Sequence, residues 1–201
     1  AVEAMARAKR PVFYVGGGAV LSDSAKELTK IARKTKIPVT TTLLGLGSFP
    51  ESDPLSLGML GMHGTWYSNM AVNESDLVIA VGSRYDDRVT GKVDAFGAKA
   101  EHIHIDVDPA SISKNIRVDY PIVGDCRNVL KKMAPMVEKS DTAEWLKLID
   151  HWKETHPLKY KDDGKVKPQY VIEQIHEVLG DDTVMVSDVG QHQMWMALHY
   201  N

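Results

Sequence analysis

Short apolar runs alternate with amphipathic stretches along the chain, the pattern of βαβ units and hence of a parallel sheet covered by helices. Val12 to Val15 is the first run. Gly16, Gly17 and Gly18 close it, since neither a strand nor a helix interior favours three glycines. The helix expected next has Ser22, Asp23 or Ser24 as N-cap candidates and Ala25, Leu28, Ile31 and Ala32 on one face. Its end is basic, with Arg33, Lys34 and Lys36. Ile37 to Thr41 reads as a second strand. The Gly/Pro-rich stretch from Gly45 to Gly64 reads as a long irregular connection, of a kind compact domains seldom keep without a use. Thr65 to Glu74 is expected to be a helix with Trp66, Met70 and Ala71 turned inward. It leads to Leu77–Val81, an unbroken apolar run between Asp76 and Gly82 and the clearest buried strand. His102 to Asp106 makes a fourth strand and Pro121 to Val123 a short fifth. Val129, Leu130, Met133 and Val137 then mark a helix. These elements predict one doubly wound α/β domain from about Arg10 to Val137, a mainly parallel sheet flanked by helices, with residues 1–9 as an incoming linker.

The pattern changes after Val137. Residues 138–167 hold seven basic and seven acidic residues, and read as a charged surface connector. Trp145, Leu148, Ile149 and Trp152 fall at helical spacing within it, and Pro157 ends that pattern. Pro168 opens a further helix with Val171, Ile172, Ile175 and Leu179 on one face and Gly180 as its stop. Thr183 to Ser187 is expected as a strand and a helix is expected from near Gly190. One helix, one strand and the beginning of another helix cannot bury both faces of a sheet. Residues 168–201 are therefore expected to be the truncated start of a neighbouring domain in a longer protein.

Composition narrows the function classes. The chain has 201 residues, 43% hydrophobic and 25% charged, which is globular rather than disordered or collagen-like. With 24 basic and 27 acidic residues it has no cationic surplus of the kind that drives nucleic-acid binding. Cys126 is the only cysteine, which excludes an intramolecular disulfide and suits a reducing cytoplasm. No apolar run approaches the ~20 residues of a membrane helix.

Loops that follow parallel strands emerge at one edge of the sheet, where open α/β folds bind ligands. Five of them carry suitable chemistry: Gly16 to Gly18, Thr41 to Leu44, Gly82 to Val89, Asp106 to Pro109, and Gly124-Asp125. A glycine turn at a helix N-terminus lets backbone N–H groups approach a phosphate. The dinucleotide fingerprint is incomplete, however. Leu21 stands where its last Gly or Ala belongs, and threonines occupy the place of the acidic ribose ligand. Ordinary NAD binding is disfavoured. Arg84 and Arg88 suit a pyrophosphate, with Asp86 and Asp87 to orient them or to accept a ribose hydroxyl; a solvated charge cluster is the alternative. Asp106 is placed to accept adenosine hydroxyls, whereas Asp108 reads equally as the start of an Asx turn before Pro109. His63 stands between glycines with no metal-ligand partner at a suitable spacing. Neither a catalytic set nor a metal site is legible.

Five segments carry a resemblance. They are Val12 to Gly18 (VFYVGGG), Pro38 to Leu43 (PVTTTL), Gly58 to Gly64 (GMLGMHG), Gly82 to Gly91 (GSRYDDRVTG) and Val189 to Trp195 (VGQHQMW). In this order they resemble the catalytic subunits of the acetohydroxyacid synthase (acetolactate synthase) family, over nearly the whole chain. The resemblance implies the middle domain of a three-domain α/β enzyme, which holds FAD in extended form with no net redox role, plus the opening of its thiamine-diphosphate domain. Leu44, where Gln is common, is a modest departure.

Carried over residue by residue, the resemblance implies FAD contacts at Gly16, Gly17, Gly18, Thr42 and Leu43. It implies further contacts at Leu60, Gly61, Met62, His63, Gly82, Arg84, Asp86, Arg88 and Val89. Val107, Gly124, Asp125 and Asp106, which would take the adenosine ribose, complete the set, and Gln193 and Met194 lie near the flavin. Val189, Gly190, Gln191 and His192 would meet the diphosphate of thiamine diphosphate. The implied reaction decarboxylates pyruvate on thiamine diphosphate and joins the remaining two-carbon unit to a second 2-oxoacid, a step of branched-chain amino-acid synthesis. The implied partners are small 2-oxoacids, further copies in a homo-oligomer, and a regulatory subunit. The activating glutamate and the Mg2+ ligands are expected outside this chain, so residues 1–201 alone are expected to be inactive. The alternatives are another FAD-bearing thiamine enzyme, of the glyoxylate carboligase or pyruvate oxidase type, and a nucleotide-binding module without catalysis.

Overall fold

The computed structural model describes residues 1–180 and 182–200, leaving Asp181 and Asn201 outside the described residues. The chain divides into a compact unit spanning Ala1–His156 and a second one beginning at Pro157.

The first unit is built on a six-stranded sheet with the order β3-β2-β1-β4-β5-β6. Its strands are β1 (Pro11–Val15), β2 (Val39–Thr41), β3 (Ser56–Met59), β4 (Leu77–Val81), β5 (Glu101–Asp106) and β6 (Tyr120–Val123). Every pairing is parallel. β1 and β4 pair along their whole lengths, from Pro11 opposite Leu77 to Val15 opposite Val81, and are buried at every residue. Burial on both faces explains why these central strands read as unbroken apolar runs. Strand order reverses between β1 and β4. The loops leaving their carboxyl ends therefore diverge to opposite faces, and the crevice between them is where open α/β sheets bind ligands.

The helices are α1 (Val2–Arg7), α2 (Gly17–Leu21), α3 (Ala25–Thr35), α4 (Trp66–Asn73), α5 (Asp87–Thr90), α6 (Cys126–Met133) and α7 (Ala143–Thr155). Phe13, Val15, Ile79 and Ile103 pack with Leu28, Ile31 and Leu130 on one side of the sheet. Val12, Tyr14, Val78 and Ala80 pack with Ala71, Val72, Trp145 and Ile149 on the other. Successive strand residues thus feed opposite cores, as the two-residue strand period requires.

Four expectations are corrected here. Residues 1–9 are not merely a linker, because α1 buries Ala4 and Met5 in the core. The Gly45 to Gly64 connection contains β3, an edge strand whose pairing with β2 is irregular between Val39 and Thr41. On α4 the inward residues are Ser68, Ala71 and Val72, while Trp66 is 42% exposed. Trp66 instead stacks on the His156 ring at 3.8 Å between centroids. Finally, α7 is not a surface element of the connector. Trp145 and Ile149 are buried, and the indole N–H of Trp145 donates to Pro11 O at 3.0 Å. The unit accordingly continues to His156 rather than stopping near Val137.

The second unit holds α8 (Pro168–Leu179) and α9 (Gln191–His199). Pro168 opens α8 and Gly180, at φ +73°, ends it. Glu173 joins the two helices to the incoming chain: its carboxylate accepts from Tyr160 Oη at 2.6 Å and from His199 Nδ1 at 2.9 Å. The expected strand from Thr183 to Ser187 does not form, and Val184 and Val186 are 87% and 88% exposed. A parallel strand exists only by pairing, and the described part of this unit offers no neighbouring strand.

Candidate functional site

The floor of the crevice is backbone packed on backbone. Gly16 N–H donates to Val81 O at 2.9 Å, Gly82 N–H to Ile105 O at 2.8 Å, and Gly18 N–H to Gly82 O at 3.0 Å. A Cβ on Gly16 would lie 2.4 Å from Gly82 O, and one on Gly45 2.4 Å from Val15 O. The glycines therefore let three loops close on each other at the sheet edge. Two of the triplet's N–H groups are engaged in this packing, and Gly17, half-buried like Gly18, lies against Leu44. Reading the triplet only as a phosphate cradle misses that structural task.

Thr42 N–H donates to Val15 O, and its hydroxyl accepts from Gly45 N–H at 3.1 Å, which caps a 3-10 turn from Leu43 to Gly45. This turn leaves Leu43 half-buried and Leu44 72% exposed. The next loop is tied to its neighbours in the same way: Leu60 N–H donates to Thr41 O, and Met62 N–H to Arg88 O. Leu60 and Gly61 are buried, while Met62 and His63 are exposed.

After β4 the chain makes a constrained turn. Gly82 and Tyr85 have φ of +57° and +53°, the left-handed region that favours glycine. Tyr85 is held there by burial and by three groups that sequence reading did not single out. Its hydroxyl donates to His102 Nδ1 at 3.2 Å. Asn115 Nδ2 donates to the Arg84 and Tyr85 carbonyls, and the buried His104 ring donates through Nε2 to Ser83 O at 2.8 Å. Burial lowers the pKa of both histidines and pushes the Tyr85 hydroxyl well above its ordinary range, so all three stay neutral near pH 7. The turn presents Arg84, Asp86, Asp87 and Arg88 to solvent, with Arg84 3.1 Å from Asp86. Val89 is half-buried.

At the end of β5, Asp106 is buried and accepts Asp108 N–H on Oδ1 at 2.9 Å. Asp108 caps the following 3-10 turn, accepting from Ala110 N–H and Ser111 Oγ, and these bonds hold its carboxyl below the ordinary carboxylate range. Val107 is 71% exposed. Gly124 N–H donates to Asp106 O, while Asp125 caps α6 by accepting Asn128 N–H.

The sequence-identified loops of the first unit thus meet at one edge. Val189, Gly190, Gln191, His192, Gln193 and Met194 belong to the second unit, where Gly190 is the N-cap of α9 and Gln193 N–H donates to Gly190 O. Among the described residues no cluster of three or more His, Cys, Asp or Glu is arranged to hold a metal ion. No described helix is long and apolar enough to cross a membrane. Two side chains that sequence reading missed, Asn115 and His104, act on the backbone of the loop after β4. No motif advertises such a role, since their partners are carbonyl groups far along the chain.

A six-stranded parallel sheet with glycine-closed loops at its point of strand reversal defines an open, doubly wound α/β domain. Residues 1–133 match the family described as thiamine pyrophosphate enzyme, central domain, and the chain belongs to that family. It is 45% identical to the acetolactate synthase of Mycobacterium bovis over 98% of this chain and 33% of that protein. It is 49% identical to the acetolactate synthase large subunit of Cyanidium caldarium over 94% of this chain and 34% of the relative. The probable acetolactate synthase large subunit of Methanocaldococcus jannaschii is 46% identical over 98% of this chain and 35% of its own length. The chain spans about a third of the length of these curated relatives.

Proposed function

We propose that the chain is part of the large subunit of an acetolactate synthase, and that its first unit binds FAD at the crevice. The observation that carries the reading is similarity to acetolactate synthases across nearly all of these residues, with 45–49% identity to three of them. The crevice has the mixed chemistry that an extended flavin nucleotide needs. Leu44, Met62 and Val107 are exposed apolar groups suited to ring faces, and Arg84 and Arg88 are exposed cations suited to a pyrophosphate. Asp106, with one carboxylate oxygen on its own turn, has the other for a ribose hydroxyl. In the second unit, Val189 to His192 are the residues we assign to the diphosphate end of thiamine diphosphate.

In this reading thiamine diphosphate supplies the electron sink for pyruvate decarboxylation, with Mg2+ ligands and the activating carboxylate from other parts of the protein. The residues at hand contribute binding and orientation, so turnover requires more than residues 1–201. The test uses the full-length protein supplied with FAD, thiamine diphosphate, Mg2+ and pyruvate. Formation of acetolactate, with saturable quenching of flavin fluorescence by the apoprotein, is the expected result. Pyruvate consumption without carboligation would favour a pyruvate-oxidase-type enzyme, and turnover by residues 1–201 alone would overturn the division of labour.

A further inference from the structure

One side chain on α4 holds the loop at Gly61, which in turn contacts the loop at Arg88. The amide of Asn69 brackets Gly61. Gly61 N–H donates to Asn69 Oδ1 at 2.9 Å, and Asn69 Nδ2 donates back to Gly61 O at 3.1 Å. The remaining amide proton goes to Thr65 O at 3.0 Å, so the donors and one acceptor of Asn69 are in use. Gly61 in turn sits against the loop after β4. Met62 N–H donates to Arg88 O at 3.0 Å, and a Cβ on Gly61 would lie 2.8 Å from that same oxygen and 3.0 Å from Val89 Cα. Gly61 has φ +92°, a conformation open to glycine but strained for a residue with a Cβ.

The helix that carries Asn69 is itself anchored. Thr65 caps α4 and donates to Leu57 O at 3.1 Å, and Ser68 Oγ donates to Met59 O at 2.8 Å. A fixed helix thus fixes Gly61, and Gly61 with Met62 fixes the Arg88–Val89 backbone. We propose that Asn69 is a positioning residue for cofactor binding, holding the loops at Gly61 and Arg88 as one rigid surface without touching the ligand. The proposal rests on the FAD reading given above.

The test uses the full-length apoprotein, with FAD dissociation constants from flavin fluorescence and the apoprotein melting temperature measured in parallel. N69D keeps the acceptor for Gly61 N–H but sets a carboxylate oxygen against the carbonyls of Gly61 and Thr65. At pH 8 it weakens FAD binding by about tenfold or more, the loss expected when a hydrogen bond becomes a repulsion. As the pH falls toward 5 the introduced carboxyl takes up a proton, can donate again, and FAD affinity recovers relative to wild type. N69S, which cannot bridge Gly61, binds weakly at every pH and covers the case in which N69D fails to fold. Wild-type affinity in both variants overturns the proposal. So does a loss that follows the apoprotein melting temperature and shows no pH recovery. If the wild-type protein binds no FAD, the reading beneath it falls first, and the two failures are distinct.

Discussion

Gly18 and Gly82 meet backbone to backbone at the crevice floor: a Cβ on Gly18 would lie 2.7 Å from Gly82 Cα, and one on Gly82 would lie 2.6 Å from Gly18 Cα. Neither neighbour is a flexible side chain that could swing away. G18A is expected to lower stability by about 1–3 kcal/mol through overpacking. G82A should cost roughly 1 kcal/mol more, because φ at Gly82 is +57°. Urea unfolding measures both; changes within about 0.5 kcal/mol would mean that the loops give way at little cost.

Trp145 closes the core from the far end of the first unit. W145A removes a buried indole and should cost about 3–5 kcal/mol. W145F keeps most of the packing and loses the hydrogen bond to Pro11 O, for about 1 kcal/mol plus the unpaired carbonyl. Denaturant titration followed by far-UV circular dichroism ranks the two. Equal, small losses would show that α7 contributes little to the fold.

Glu51 gives a pH signature. Burial raises its carboxyl from 4.5 to about 7. A raised carboxyl binds its proton more tightly in the folded state, so its contribution to stability falls as pH rises between those two values. E51Q should therefore match wild type near pH 4 and melt higher at pH 8, the gap opening between pH 4.5 and about 7. Melting curves across that range decide it, and a gap independent of pH would remove the titration from the explanation.

Arg84 and Arg88 separate binding from folding. The side chains of Arg84 and Asp86 are 68% and 54% exposed, so their ion pair is worth at most ~1 kcal/mol. R84A and R88A should leave the apoprotein melting temperature nearly unchanged. Each should weaken FAD binding by about 10- to 100-fold, the range of a charge-assisted hydrogen bond to phosphate. The salt dependence of FAD affinity should diminish too. Unaltered affinity in both variants would remove the arginines from the pyrophosphate site.

The strands legible in the sequence were those whose signal is intrinsic. Leu77–Val81 is buried on both faces and needs nothing but apolar residues to declare itself. β3 could not be read the same way. Ser56 and Gly58 interrupt its apolar positions, Gly58 has φ +66°, and the strand exists because β2 lies beside it. Thr183 to Ser187 shows the converse, a sequence with strand character but no described strand to pair with. The charged stretch after Val137 misled for a related reason. Its charges lie on the outer side of α7, and only the spacing of Trp145 and Ile149 betrays the buried side. At the candidate site, residue types told which loops were chemically equipped. The buried supports at His104 and Asn69 depend on contacts with backbone, which leave no trace in composition.

The bond between Trp145 and Pro11 spans 134 positions of sequence, and it sets a timetable for the chain as it is made. β1 precedes α4, which packs on the Val12 and Tyr14 face, and α7, which completes that cover, arrives only after all six strands. At roughly 5–20 residues per second, one face of the central strand waits on the order of ten seconds for the last of its cover. During that interval the ribosome-bound chain carries a sheet with one face only partly covered, by α4. Within this unit, the Val12 and Tyr14 face is shielded in full only once α7 emerges.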